Sequence, residues 1–180
     1  KLDFMACNMT SGYNDRTCTN GKGGIKSVLF FPIANKSGVT KTANEITAMT
    51  VSGETFHYKL KSNLSSYTAP IQRSEENGTL WYEQTLNMVL NSDNKDLRSA
   101  LHLLAQNELG AMVEKADGTY VLLGEGEGLK VADGNEYTSG VAKSDRNGHV
   151  IVLVGQENDE VADVESSVAA TLIAQSSYAA

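Results

Sequence analysis

Along residues 79–90 the apolar side chains fall on alternate positions. Leu80, Tyr82, Leu86, Met88 and Leu90 share one face, with Gln84 as the polar interruption. Trp81, Glu83, Thr85, Asn87 and Val89 make up the other face, which is mixed. This period of two predicts a strand, and at about 3.3 Å per residue it would run roughly 40 Å, long for a globular domain. The period then changes. After Asn91-Ser92-Asp93, which supply N-cap candidates, Leu97, Ala100, Leu101 and Leu104 follow at i, i+3, i+4 and i+7. That stripe predicts an amphipathic helix over 94–107, packed on a sheet through Leu97, Leu101 and Leu104. Asp96 sits early in it, where a helix start favours negative charge, and Gly110 or Asn107 is its stop signal.

The same reading extends along the chain. Residues 25–33 form an apolar run stopped by Pro32 and by the turn Asn35-Lys36-Ser37-Gly38. Residues 45–51 and 54–61 flank Ser52-Gly53, a hairpin signal. Residues 67–73 contain Pro70 and read as an edge strand or loop. Ala116-Asp117-Gly118 joins strands at 111–115 and 119–123, and Gly124–Gly128 is a glycine-rich acidic loop. A short strand is expected at 128–132, and two more at 137–143 and 149–155. In the last of these Val150, Val152 and Val154 oppose Ile151 and Leu153, the two-sided pattern of a buried strand. Residues 1–24 are polar and lack periodicity. Residues 156–180 are acidic and then Ala/Ser-rich, with 164–174 either helix or arm. About nine strands in hairpin order around one helix predict a mainly β protein: an antiparallel β-sandwich or barrel with one flanking α-helix. The expected domains are an N-terminal arm at 1–24, a β domain at 25–157 and a C-terminal arm at 158–180.

Charge narrows the partners. The 180 residues hold 22 acidic and 15 basic side chains, a formal net charge of −7, and no Lys/Arg run. That argues against a surface built to grip nucleic acid. No apolar stretch is long enough for a transmembrane helix, and residues 1–11 lack the apolar core of a signal peptide. The expectation is a soluble protein made inside a cell, with no membrane partner. Cys7 and Cys18 lie in the polar N-terminal segment without a CxxC or a neighbouring His. They read as two small buried side chains or as a pair that closes in an oxidising environment.

Candidate chemistry is sparse. Gly21-Lys22-Gly23-Gly24-Ile25-Lys26-Ser27 lacks the contiguous Gly-Lys-Ser/Thr of a phosphate loop, and a β run follows it. The alternating glycines of Gly124-Glu125-Gly126-Glu127-Gly128 lack the following helix of a dinucleotide fingerprint. His57, His102 and His149 stand alone in the sequence, and no Gly-x-Ser-x-Gly elbow or calcium loop occurs. The acidic pairs Glu75-Glu76 and Asp159-Glu160 read as solvated turns; a cleft joining Glu75, Glu76 and a histidine would revive an enzyme reading. The expectation is therefore no catalytic residue, no metal and no cofactor.

From the long strand onward, the order of features resembles bacteriophage tail-tube-like proteins. It is carried by Trp81-Tyr82-Glu83-Gln84-Thr85-Leu86, the helix through Leu103-Leu104-Ala105, and Gly118-Thr119-Tyr120 into Leu122-Leu123-Gly124. It continues through Gly128-Leu129, Ser139-Gly140, Asp145-Arg146-Asn147-Gly148 and Val152-Leu153-Val154-Gly155-Gln156-Glu157. The opening, Ala6-Cys7-Asn8 through Cys18 to Gly23-Gly24-Ile25-Lys26, is similar to small virion proteins of crAss-like tailed phages that infect Bacteroides-type bacteria. The resemblance implies a structural virion protein made in the host bacterial cytoplasm and placed in the tail or neck. It implies a homo-oligomer, a hexameric tube or a higher-order ring, that contacts other tail or neck proteins and lets DNA pass without specific binding. Leu80, Trp81, Tyr82, Glu83, Gln84, Leu86 and Met88 are then the assembly or channel strand, and the arm bearing Cys7 and Cys18 reaches a neighbour. A β-sandwich binding module, such as a phage fibre, decoration or adhesin-like protein, is the alternative.

Overall fold

The computed structural model describes residues 22–61 and 63–178. Cys7, Cys18 and most of the expected N-terminal arm lie outside the described residues. In chain order the elements are β1 (Ile25–Pro32), a 3-10 turn (Ile33–Asn35), β2 (Lys36–Thr42), β3 (Glu45–Val51), β4 (Thr55–Lys59), β5 (Ser66–Thr68), β6 (Ile71–Ser74) and β7 (Thr79–Leu90). Then come α1 (Lys95–Ala105), β8 (Leu109–Lys115), β9 (Tyr120–Leu123), β10 (Lys130–Val131), β11 (Glu136–Thr138), β12 (Gly148–Glu157), β13 (Ala162–Val164), α2 (Ser166–Ala174) and β14 (Ser176–Tyr178). The fold is mainly β, with α1 on the flank of its sheets.

Eight strands form one sheet in the order β14-β4-β1-β8-β9-β13-β3-β2. A smaller sheet has β12 and β7 at its centre, with β10 and β11 along one side and β5 and β6 along the other. The apolar sequence of β1 explains why the large sheet is covered on both faces. Its Val28 and Phe30 point one way and its Leu29 and Phe31 the other, and all four are buried. The first pair, with Val113 and Leu123, meets Leu86, Met88 and Leu153 of the smaller sheet. The second pair joins Met112 and Leu122 beneath Val168, Ala169 and Leu172 of α2 and Ile46 and Val51 of β3.

α1 closes the first core. Leu97 and Leu104 are buried, and Leu101, half-buried, packs against the same cluster. The N-cap is Asn94 rather than Asn91, Ser92 or Asp93: its Oδ1 accepts the Leu97 N–H at 2.6 Å, a cap of about 1 kcal/mol. The helix ends at Ala105, and Asn107 donates its side-chain amide to the Leu103 carbonyl at 2.7 Å. Gly110 is not a helix stop. It lies in β8, where the Phe31 ring would sit 2.4 Å from any Cβ.

Other expectations are corrected. Residues 35–38 do not form a turn, because Lys36 opens β2, a polar edge strand held on β3. β3 and β4 do not make a hairpin around Ser52-Gly53. β3 pairs with β2 and β13, whereas β4 pairs with β1 and β14 at the far side of the same sheet. Residues 158–180 are not an arm as far as Tyr178: β13 enters the large sheet between β9, antiparallel, and β3, parallel, β14 pairs parallel with β4, and α2 fills the second core.

Candidate functional site

β7 is the strand that the alternation outlined, Thr79–Leu90, and its two ends have different surroundings. From Tyr82 to Leu90 it pairs with β12, with Glu157 opposite Tyr82 and His149 opposite Leu90. Over this length the even positions Gln84, Leu86, Met88 and Leu90 are buried in the first core. Before Tyr82, β7 runs on beside β6 alone, with Trp81 opposite Gln72, Leu80 opposite Arg73 and Thr79 opposite Ser74. Gly78, at φ 63°, closes this hairpin. The core-facing side therefore continues past the end of the core. There Leu80 is 52 % and Ile71 61 % exposed, and half-buried Tyr82 lies directly across from Ile71.

The outward face of the smaller sheet presents Trp81, Glu83, Thr85 and Asn87 from β7 and Val150, Val152 and Val154 from β12, all half-buried. Glu83 accepts from the Gln72 amide at 3.2 Å, and Lys130, next to Val154, pairs with Glu108 at 2.9 Å. That ion pair raises the Lys130 pKa and neutralises its charge locally. The face mixes Trp81 and three valines with polar side chains and is close to neutral.

Gln84, the polar interruption, has a partner in the core. Its Oε1 accepts the Gly124 N–H at 2.8 Å. The loop that follows is an amide cradle rather than a loose acidic segment. The Glu157 carboxylate accepts from Gly126 N–H at 2.9 Å, Glu127 N–H at 3.0 Å and Gly128 N–H at 3.2 Å. Lys41 pairs with Glu125 at 2.6 Å, and Lys36 donates to the Glu125 carbonyl. The donors that a dinucleotide loop would offer to phosphate are thus occupied by the protein's own buried carboxylate.

His149 does not stand alone in space. Its Nε2 lies 3.1 Å from Asp93, which also takes Arg98 Nε at 3.0 Å and the Tyr137 hydroxyl at 3.2 Å. The hydrogen bond to His149, then the Arg98 charge and the Tyr137 hydroxyl, hold the Asp93 carboxyl below its usual 3.8. The folded state therefore binds fewer protons here than the unfolded chain. The contribution is present above the unfolded value and is lost as pH falls through the lower folded one. Asp93→Asn is expected to be less stable than wild type by a constant margin at neutral pH. In urea melts the gap should close as pH falls below 3.8; a gap unchanged at acid pH would show that the pairing is not ionic.

The other histidines are placed separately. His57 is buried on β4, and burial together with Lys59 lowers its pKa. His102 is exposed on α1, 3.2 Å from the Gln106 amide nitrogen. Glu75 and Glu76 are exposed at the tip of the β6–β7 hairpin, in no cleft with a histidine. Among the described residues no group of three His, Cys, Asp or Glu side chains is arranged to hold a metal ion. Nor is any described helix long and apolar enough to cross a membrane. No family model, characterised protein or solved structure matches the chain.

Proposed function

We propose that this chain is a structural virion subunit of a tail tube or head–tail connector ring, and that it works by assembly rather than catalysis. One observation carries the reading: the β6–β7 hairpin projects past its own core with Ile71 and Leu80 uncovered on the core-facing side. A monomer gains nothing from this exposure, whereas a neighbouring subunit would bury it. The outward face of the smaller sheet supports the same reading. DNA sliding through a lumen must not be held, and a near-neutral wall on a chain of net charge −7 offers no basic stripe to hold it. Repetition of one chain around an axis would join such sheets into a channel wall.

The test is negative-stain microscopy with mass measurement on the purified chain at rising concentration. Rings or stacked tubes with a central hole are expected. The double variant Ile71→Asp/Leu80→Asp should keep the melting temperature of the monomer, because both sites are exposed, and should lose the rings. A wild-type chain that remains a monomer or closed trimer at every concentration overturns the reading.

A further inference from the structure

Asn77-Gly78 and Asn147-Gly148 are the same dipeptide in two unlike settings. A third, Asn20-Gly21, lies outside the described residues. Asn followed by Gly is the sequence in which a backbone nitrogen most readily attacks a side-chain amide, because glycine has no Cβ to block the approach. Asn77 and Gly78 are both exposed at the tip of the β6–β7 hairpin, in the turn between Ser74 and Thr79. Beyond its chain neighbours, no atom lies within 4 Å of the Cβ position of Gly78. None of the hydrogen bonds among the described residues engages the Asn77 amide or the Gly78 N–H. Asn147 is also exposed, but Gly148 is buried. Gly148 stands in β12 opposite Thr138 of β11, and the Leu90 backbone leaves no room there even for a Cβ.

We infer that Asn77 is a site of spontaneous deamidation, selected by the hairpin tip, and that the sheet protects Asn147. In the reaction the Gly78 backbone nitrogen gives up its proton and attacks Cγ of Asn77. The new N–C bond closes a cyclic imide, and the side-chain nitrogen leaves with that proton as ammonia. Water then adds to one of the two imide carbonyls and opens the ring. One opening leaves aspartate; the other leaves isoaspartate, with the main chain running through the former side chain. Water is the only co-reactant. Closing the ring swings the peptide plane between the two residues. A solvated turn permits that swing, whereas at Gly148 the end of β12 must first leave its neighbours. The product adds a third carboxylate to Glu75 and Glu76 on the hairpin that carries exposed Ile71 and Leu80. One consequence rests on the assembly reading above: a tip with three carboxylates is harder to bury against a second copy of net charge −7, so converted subunits assemble less well.

The experiment holds the purified full chain for weeks at mildly alkaline pH, both folded and unfolded in guanidinium chloride, at a concentration too low for rings. Peptide mapping by mass spectrometry, with detection of isoaspartate, then reads each Asn-Gly separately. In the folded chain Asn77 should convert at least about tenfold faster than Asn147, and in the unfolded chain the two should convert at similar rates. Raising the pH should speed the reaction at Asn77, because more of the attacking nitrogen is deprotonated, and Asn77→Gln should abolish it there. Asn147 converting as fast as Asn77 in the folded chain, or Asn77 converting only when unfolded, overturns the inference. Asn77→Asp, which carries the charge from the start, should keep the wild-type melting temperature and need more protein to form rings. If it assembles like wild type, the consequence for assembly is overturned and the modification site stands. A wild-type chain that never assembles overturns the assembly reading together with that consequence, while conversion at Asn77 still supports the site.

Discussion

Glu157→Ala is expected to lower the stability of the folded chain by about 3 kcal/mol, a fall in melting temperature of roughly 6–12 °C. Three backbone N–H groups, of Gly126, Glu127 and Gly128, donate to this carboxylate within 3.2 Å, and the side chain is buried. Its removal leaves the buried Gly128 donor without an acceptor and strips a charged acceptor from the Gly126 and Glu127 donors, which water can then reach. Each unmet buried donor costs about 1–3 kcal/mol, and hydrogen bonds to a charged acceptor are the stronger kind. Glu157→Gln should lose less, because its amide oxygen keeps one acceptor in the cradle. Urea denaturation of the two variants beside wild type is the measurement. An alanine variant within about 1 kcal/mol of wild type would show that the loop holds its shape without the carboxylate.

A loss of similar size is expected at Gly148, for a different reason. Its backbone angle is one that any residue can adopt, but a Cβ there would lie within 1.9 Å of the Leu90 carbonyl oxygen and 2.9 Å of the carbonyl carbon. The obstacle is backbone at the start of the β12–β7 ladder, where His149 already faces Leu90, so no rotamer change relieves it. Gly148→Ala must push two central strands apart. This lies at or above the upper end of overpacking costs, about 3–4 kcal/mol. Gly23→Ala is the control: nothing lies within 4 Å of its Cβ position, and its melting temperature should match wild type. Equal melting temperatures for the two variants would mean that the strands can separate here at little cost.

The elements that could be read from the sequence are those whose environment repeats at a fixed period. β7 was outlined to the residue because one face alternates in and out of a core for most of its length. α1 was found because Leu97, Leu101 and Leu104 share a side. Even Gln84 stood out as an anomaly, although nothing local says that its partner is Gly124, 40 residues on. β2 leaves no trace in the sequence because an edge strand of Lys, Ser, Gly, Thr and one Val has no buried face to write a period. The chain does bend at Ser52-Gly53, with Gly53 at φ 90°, but the strands on either side find distant partners. α2 writes too short a stripe to stand out: its buried residues, Val168, Ala169 and Leu172, span little more than one turn. Ala169 is fully covered without the bulky stripe that marks α1.

The candidate sites follow the same rule. Asp93 and His149 are 56 residues apart, and Glu157 is about 30 from the amides that it takes, so sequence spacing carries no trace of either group. The exposed pair Ile71 and Leu80 was half legible. Leu80 belonged to the alternating face, but only the end of β12 opposite Tyr82 reveals that this face outruns its cover.

The late position of α2 bears on how the chain matures at the ribosome. Leu29, Phe31, Met112 and Leu122 have all been synthesised well before residues 168–172 arrive to cover them. For that interval the large sheet carries a bare apolar side, and β4 waits for β14 as its parallel neighbour. Parallel pairings between distant segments close slowly, since a long loop must be ordered before any contact rewards it. A nascent chain stalled before α2 is therefore the species most exposed to chaperones and to aggregation.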